Sequence, residues 1–372
     1  MNEILHAAAA FATRGAPVSA APYGGGHIND TYLIETDQGC RYILQRMNTY
    51  VFPKPALIME NMARLAEHLV PVVLREGGDP AREVLRPVSL KEGGMLLQSE
   101  AGVFRCLHFI PDTVCREQAQ DLVQLRQAAF AFGRFGRRLD GFPAGELQEV
   151  IPRFHDTENR LQNLLAAVSS DVRGRAPQCR AEIAFCAQRK GDCGFITSRL
   201  ASGELPTRVT HNDTKLSNIL LDRDTGSAVC IVDLDTVMPG SALYDFGEGV
   251  RSGAALCAED EPDTEKVAFS IEAYTAYTEG FLEGFGRRLS RREAELLPWG
   301  PRLMALENGI RFLTDHLEGD IYYKIERPLQ NLDRARVALK LTRLMEEQFP
   351  EMTRIAQELY DRNMTGSAGG TL

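Results

Sequence analysis

No stretch of the sequence reaches the ~18 uninterrupted apolar residues that a membrane-spanning helix needs, which argues against a membrane protein. The N-terminus carries Glu3 and no basic segment ahead of its short apolar run, so it does not read as a secretory leader. None of the eight cysteines forms a C-x-x-C pair. Cys179, Cys186 and Cys193 recur every seventh residue, one stripe on a helix, and read as small buried apolar side chains rather than metal ligands. Without a disulfide framework, a reduced cytoplasmic protein is expected. Basic charge is in deficit: 42 Lys+Arg against 51 Asp+Glu gives a net charge of −9, which repels a nucleic-acid backbone. The short basic clusters at 134–138 and 287–292 sit in helical patterns and read as solvated faces. Neither an internal repeat nor a low-complexity segment is visible. What is present, 44% hydrophobic and 25% charged residues over 372 positions, is a globular composition with enough chain for two or three cores.

The first ~110 residues read as strands and turns around a single helix. Asp30–Thr36 and Cys40–Arg46 pattern as a hairpin about Asp37-Gln-Gly39, and 56–70 carries apolar residues at helical spacing. Strand-like pieces follow near 95–98 and 104–110. From about residue 118 the texture changes to amphipathic helices, expected over 118–139, 156–170, 180–200, 263–287, 291–318 and 332–348. Between them lies a strand-and-loop island, 205–250. The expected fold is therefore α+β, with an N-terminal lobe over 1–110 (a five-stranded antiparallel sheet and one helix) and a mainly helical lobe over 111–372. The tail from Met364 reads as flexible.

The island carries the chemistry. Its core is Thr210-His211-Asn212-Asp213-Thr214-Lys215-Leu216-Ser217-Asn218, followed fifteen residues later by an apolar strand ending in Asp233-Leu-Asp235. Protein kinases space a catalytic Asp and a metal-holding Asn five apart and end a following strand in a metal-holding Asp. Asp213, Asn218 and Asp233 fit that order. An amide oxygen and a carboxylate are the hard ligands that Mg²⁺ takes alongside phosphate oxygens.

With Ile231-Val-Asp-Leu-Asp-Thr-Val-Met-Pro-Gly240, this segment resembles the aminoglycoside phosphotransferase and choline kinase superfamily, whose fold is the bilobal protein-kinase-like one. Gly26-His-Ile-Asn-Asp-Thr31, Leu44-Gln-Arg-Met-Asn48 and Arg311–Tyr323 look more narrowly like the N-acetylhexosamine 1-kinases. The resemblance runs from residue 24 to about 325. It implies ATP and Mg²⁺ as cofactors, phosphorylation of the anomeric hydroxyl of GlcNAc or GalNAc, and small molecules rather than nucleic acid or membrane as partners. A same-fold kinase of choline, homoserine or an aminoglycoside, or a nucleotide-binding module without catalysis, is the alternative.

On that reading Asp213 is the catalytic base and also touches the acceptor hydroxyl, and Asn218 and Asp233 hold the metal. His211 is expected to brace the loop, and Lys215 either meets the transferring phosphoryl group or is solvated. Gly24, Gly25, Gly26 and His27 form the candidate phosphate loop, since glycines let backbone N–H groups approach phosphate closely. The next strand lacks the kinase lysine, and Arg46 takes the phosphate role, paired with Glu60 on the following helix. Phe109 lies in the connector expected at the adenine edge. Asp235 is open between metal ligand, turn cap and acceptor contact, the last being preferred. Asp245 is expected to brace the loop and to N-cap the next helix. Arg311 and Tyr322, with Tyr323 as the other aromatic, are the expected sugar-binding residues. The competing reading of Arg311 is an i,i+4 ion pair with Asp315.

Overall fold

The computed structural model describes residues 2–24 and 28–366. Packing divides the chain into two units that interleave along the sequence. The first takes Met1–Cys115, Gly141–Pro152 and Ile219–Pro239, and the second Arg116–Asp140, Arg153–Asn218 and Gly240–Leu372. The expected N-terminal lobe corresponds to the first of these stretches, and the chemistry-bearing island is shared, parting after Asn218 and again after Pro239.

In the first unit, antiparallel strands Pro17–Pro22, Asp30–Thr36, Arg41–Met47, Gly102–His108 and Pro87–Val88 lie side by side, and Leu97–Ser99 also pairs with Gly102–His108. The expected hairpin is present, closed by Gly39 at φ 70°, a conformation that suits a residue without Cβ. Strand alternation sends Ile34, Tyr42, Leu44, Phe104 and Cys106 to one face, where they pack with Ala7, Ala8 and Phe11 from the N-terminal segment. Thr31, Gln45 and Arg105, at the intervening positions, belong to the opposite face. The sheet has six strands rather than five, because a two-residue strand such as Pro87–Val88 leaves no period in the sequence.

The single expected helix is Pro55–Arg75, longer than the 56–70 of the sequence pattern. It buries Ile58, Met62, Leu65, Leu69 and Val73, and Pro71 does not end it. Two helices were not anticipated: Asn2–Ala9, and the single turn Pro80–Glu83, which Asp79 caps by accepting the Ala81 N–H at 2.8 Å. A smaller sheet of Ala228–Ile231, Ile219–Asp222 and Thr113–Val114 completes the unit.

The second unit is mainly helical, and several expected boundaries shift for local reasons. The helix expected over 180–200 is three pieces, Arg180–Gln188, Lys190–Cys193 and Phe195–Ser202. Its cysteines are nonetheless all buried, and burial pushes the thiols of Cys186 and Cys193 up to about 12. Ser270 caps Ile271–Phe285 by accepting the Ala273 N–H, so that helix starts later than expected. Pro298 divides 291–318 into Arg291–Leu296, opened by a Ser290/Glu293 capping box, and Trp299–Glu318. Phe349–Thr365 is a further helix and includes Met364, placed in the tail by sequence; the rest of that tail beyond Gly366 lies outside the described residues. In the basic cluster at 134–138, Arg138 is buried rather than solvated.

Helices Ala242–Gly253 and Trp299–Glu318 approach closely where Gly247 meets Gly300. A Cβ on Gly247 would stand 2.5 Å from the Gly300 carbonyl carbon, and one on Gly300 would stand 2.3 Å from the Leu243 oxygen. That contact sets the helix bearing Asp245 against the helix bearing Glu307 and Arg311. Among the described residues no helix is long and apolar enough to cross a membrane.

Candidate active site

The loop 211–218 belongs to the second unit. Strand Arg208–Thr210 delivers it, and Asn212 turns it at φ 66°. Asp245 anchors the turn: its carboxylate accepts the His211 N–H at 2.9 Å and the Asn212 N–H at 2.7 Å, while its own carbonyl accepts the Thr214 hydroxyl. The bracing role expected for Asp245 is thus met. Its expected N-cap role is not, because Ser241 caps that helix and Asp245 lies in the first turn. Burial pushes the Asp245 carboxyl above its ordinary range, against the pull of His211 and the two backbone donors. His211 is fully buried beside the rings of Phe132 and Phe135, and its Nδ1 accepts the Asp213 N–H at 3.3 Å.

Asp213 stands on this braced turn, partly exposed. Asn218 Nδ2 donates to its Oδ2 at 2.9 Å and to its carbonyl at 2.8 Å, and Lys215 Nζ lies 3.0 Å from the same Oδ2. Burial raises the Asp213 pKa, but Lys215, His211 and the two hydrogen bonds outweigh it and hold the carboxyl below its ordinary value. Since both Asn218 hydrogen bonds leave through nitrogen, its Oδ1 accepts none among the described residues.

Asp233 and Asp235 belong to the first unit. The strand Ala228–Ile231 ends and Asp233 adopts φ 58°, ψ 57°, opening a short turn over Leu234–Thr236 with its side chain exposed. Asp235 is only 2% exposed. Arg105 grips it through both terminal nitrogens, one of them at 2.9 Å, and Asn29 Nδ2 donates to the same Oδ2 at 3.0 Å. With its oxygens so engaged, Asp235 is an internal anchor rather than the acceptor contact preferred from sequence. Asn218 Oδ1 in the second unit and the Asp233 carboxylate in the first are each a hard oxygen donor of the kind that Mg²⁺ takes.

Of the candidate phosphate loop, Gly25, Gly26 and His27 lie outside the described residues. Gly24 adopts φ 72° with open space where a Cβ would point. Arg46 does not pair with Glu60, which is exposed on its helix. It pairs with Asp30, directly across the strand pair, at 2.9 Å through Nε. It also shares the parity of Tyr42 and Leu44, the face packed on the N-terminal segment, and so lies opposite Gln45 and Arg105. Phe109 carries the Arg41 guanidinium over its ring at 4.3 Å and meets Tyr23 edge-on.

In the second unit, Arg311 spans Phe154 and Tyr323, its guanidinium 5.7 and 5.6 Å from their ring centroids. Among the described residues it makes no hydrogen bond or ion pair. Asp315 is occupied elsewhere, accepting the N–H groups of Ile321, Tyr322 and Tyr323 and the Asn331 amide, so the i,i+4 pair does not form. The loop held this way leaves Tyr322 53% exposed, while Tyr323 turns inward with a buried hydroxyl that has no partner. Beside it, buried Glu307 accepts from Thr157 at 2.6 Å and lies 2.9 Å from His155 Nδ1, leaving His155 Nε2 buried without a partner. Burial would raise the Glu307 pKa; His155, Arg311 and Thr157 bring it below the ordinary range.

Arg105 was missed from sequence, although a signal existed for it. It is the one charge in the apolar run Val103-Phe-Arg-Cys-Leu107.

Solved structures similar to this chain include a microcompartment-associated aminopropanol kinase (15% identity, 95% of this chain and 98% of that one, TM-score 0.59). An aminoglycoside phosphotransferase from Alicyclobacillus acidocaldarius matches at 13% identity over 92% of each chain, TM-score 0.54. Amicoumacin kinase, in complex with AMP-PNP, Ca²⁺ and Ami, matches at 17% identity over 97% and 93%, TM-score 0.52. At these identities the likeness establishes the fold, the protein-kinase-like one expected from the sequence. The sequence profile of the phosphotransferase enzyme family, APH, matches residues 19–295, well over half of the protein, and the chain belongs to that family.

Proposed function

We propose that the chain is an ATP- and Mg²⁺-dependent kinase that phosphorylates the anomeric hydroxyl of an N-acetylhexosamine, GlcNAc or GalNAc, to the sugar 1-phosphate. The observation that carries the phosphoryl-transfer part is the Asp213–Asn218–Lys215 cluster on a turn braced by Asp245. Asp213 stays ionised and can accept the proton of a hydroxyl placed against it; Asn218 fixes its orientation, and Lys215 presents a positive charge at the same oxygen. Phosphoryl transfer depends chiefly on positioning and charge neutralisation, so a base of ordinary or lowered pKa suffices. Asn218 Oδ1 and Asp233 would hold the metal ion, which when bound neutralises phosphate charge. The amicoumacin kinase, with a nucleotide analogue and a divalent cation bound, supports nucleotide and metal as the pair this fold handles.

The acceptor part rests on the Arg311 region. A guanidinium without an ion pair, an inward tyrosine hydroxyl and His155 Nε2 are three buried or half-buried polar groups awaiting partners, and burying them unpaired is costly. Hydroxyl and amide oxygens of a sugar suit them, with Phe154 and Tyr323 offering flat apolar surface. A cationic acceptor such as choline or an aminoglycoside would face the Arg311 charge.

The test is an ADP-release screen over GlcNAc, GalNAc, glucose, choline, homoserine and aminoglycosides, with ³¹P NMR of the product. We expect kcat/KM for the N-acetylhexosamines to exceed that for glucose at least ~10-fold, since a site with partners for the acetamido group leaves them unpaired with the plain hexose. Phosphate on O6, or turnover of choline but of no sugar, would overturn the acceptor assignment and leave the kinase reading standing.

A further inference from the structure

We propose that Arg105 is a positioning residue for the metal-binding end of the site, fixing through Asp235 the backbone on which Asp233 stands. The inference rests on the reading of Asp233 as a magnesium ligand. Arg105 is 1% exposed in the middle of the strand Gly102–His108. Its Nε donates to Gln45 Oε1 at 2.9 Å, and both terminal nitrogens go to Asp235. Gln45 in turn donates to Thr31 Oγ1 at 3.0 Å. Asn29, which donates to Asp235, accepts the Asn48 N–H at 2.9 Å. Asp235 is therefore tied to three adjacent strands of one sheet.

Two residues upstream, Asp233 sits in the left-handed region at φ 58°, a conformation that a residue with a Cβ holds only where its surroundings impose it. Only Leu234, itself buried, separates it from the clamped carboxylate. The turn is thus held at one end by the clamp and at the other by the strand Ala228–Ile231, leaving the exposed Asp233 side chain a defined direction. A buried ion pair is a poor source of net stability, whereas a fixed ligand direction is what a metal site gains from its surrounding hydrogen bonds, commonly 10–100-fold in affinity.

The test uses the full chain with Mn²⁺ as probe, its binding followed by EPR in the presence of AMP-PNP, beside the Mg²⁺ dependence of ADP release. Arg105→Lys keeps the charge and loses the two-pronged grip. Asp235→Asn keeps the shape and loses the charge, and it answers the question if the arginine variant does not fold. For whichever variant retains the wild-type circular dichroism and a cooperative melt, we expect Mn²⁺ affinity to fall at least ~10-fold, with AMP-PNP affinity in EDTA and the acceptor KM within about two-fold of wild type. Unchanged Mn²⁺ affinity in a folded variant overturns the proposal, as does an equal loss of metal-free nucleotide binding. Wild-type protein that binds no Mn²⁺ with AMP-PNP instead overturns the metal-dependent kinase reading itself, so the two failures are distinct.

Discussion

Replacing Asp213 with asparagine removes one oxygen's charge and little else. The carboxylate has two partners at Oδ2, Asn218 Nδ2 at 2.9 Å and Lys215 Nζ at 3.0 Å, and the side chains of Asp213 and Lys215 are 29% and 42% exposed. A pair this open to solvent contributes about 0–1 kcal/mol to folding, so the variant should melt close to wild type. Catalysis should respond on another scale. A positioned base is worth about 10²–10⁴ in rate, or roughly 3–5 kcal/mol of barrier, and an amide cannot take the proton. Turnover measured by coupled ADP release should fall at least ~100-fold, while AMP-PNP binding by calorimetry stays near wild type because no phosphate or metal ligand is lost. Retention of activity within a few-fold would refute the assignment. The pH dependence gives a second reading with a fixed sign. The Asp213 carboxyl is held below its ordinary value, so the base stays ionised as pH falls, and the acid limb of kcat/KM should lie below the ordinary carboxylate range.

Arg311→Ala should raise the acceptor KM at least ~10-fold and leave the ATP KM nearly unchanged, since its guanidinium makes no hydrogen bond or ion pair among the described residues and stands between two aromatic rings; equal effects on both constants would contradict an acceptor role. Tyr323→Phe, removing a hydroxyl buried without a partner, should leave the urea midpoint unchanged or raise it and weaken acceptor binding alone. Glu307→Gln should cost about 1–3 kcal/mol of stability by urea titration, and wild-type stability from this group, whose pKa is lowered on folding, should be present above the unfolded carboxylate range and lost as pH falls through the folded value. Arg46→Ala should change the ATP KM less than about three-fold, because an exposed pair with Asp30 accounts for its charge.

How far the sequence foretells this molecule depends on whether a feature has a period or a partner. The hairpin about Gly39 and the helices with long apolar stripes are legible because side-chain alternation and helical spacing are local properties. Pro87–Val88 is a strand only through what lies beside it, and the break in 180–200 comes between apolar residues that keep their spacing across it. Phe349–Thr365 leaves little signal because the helix before it, Gln330–Glu347, is parted from it by Gln348 alone, without a glycine.

The candidate catalytic loop was legible for a related reason: Asp213, Lys215 and Asn218 lie within one short run, so the motif and the side-chain cluster nearly coincide, although Asp245, which braces the turn, lies some thirty residues on. Parity decides the arginines. Arg46 has the motif position and the right chemistry, yet one residue along a strand reverses the face, and the buried clamp is formed by Gln45 and by Arg105 from the neighbouring strand. The same holds for Tyr322 and Tyr323, where the backbone N–H groups held by Asp315 determine which ring turns inward. A motif fixes which residues are present near a site; the direction each side chain takes is fixed by strand register and by carboxylates such as Asp235, Asp245 and Asp315, each buried and each engaged by donors from residues distant in sequence. Those three acids are therefore the ones whose replacement should misdirect a site residue while leaving that residue in place.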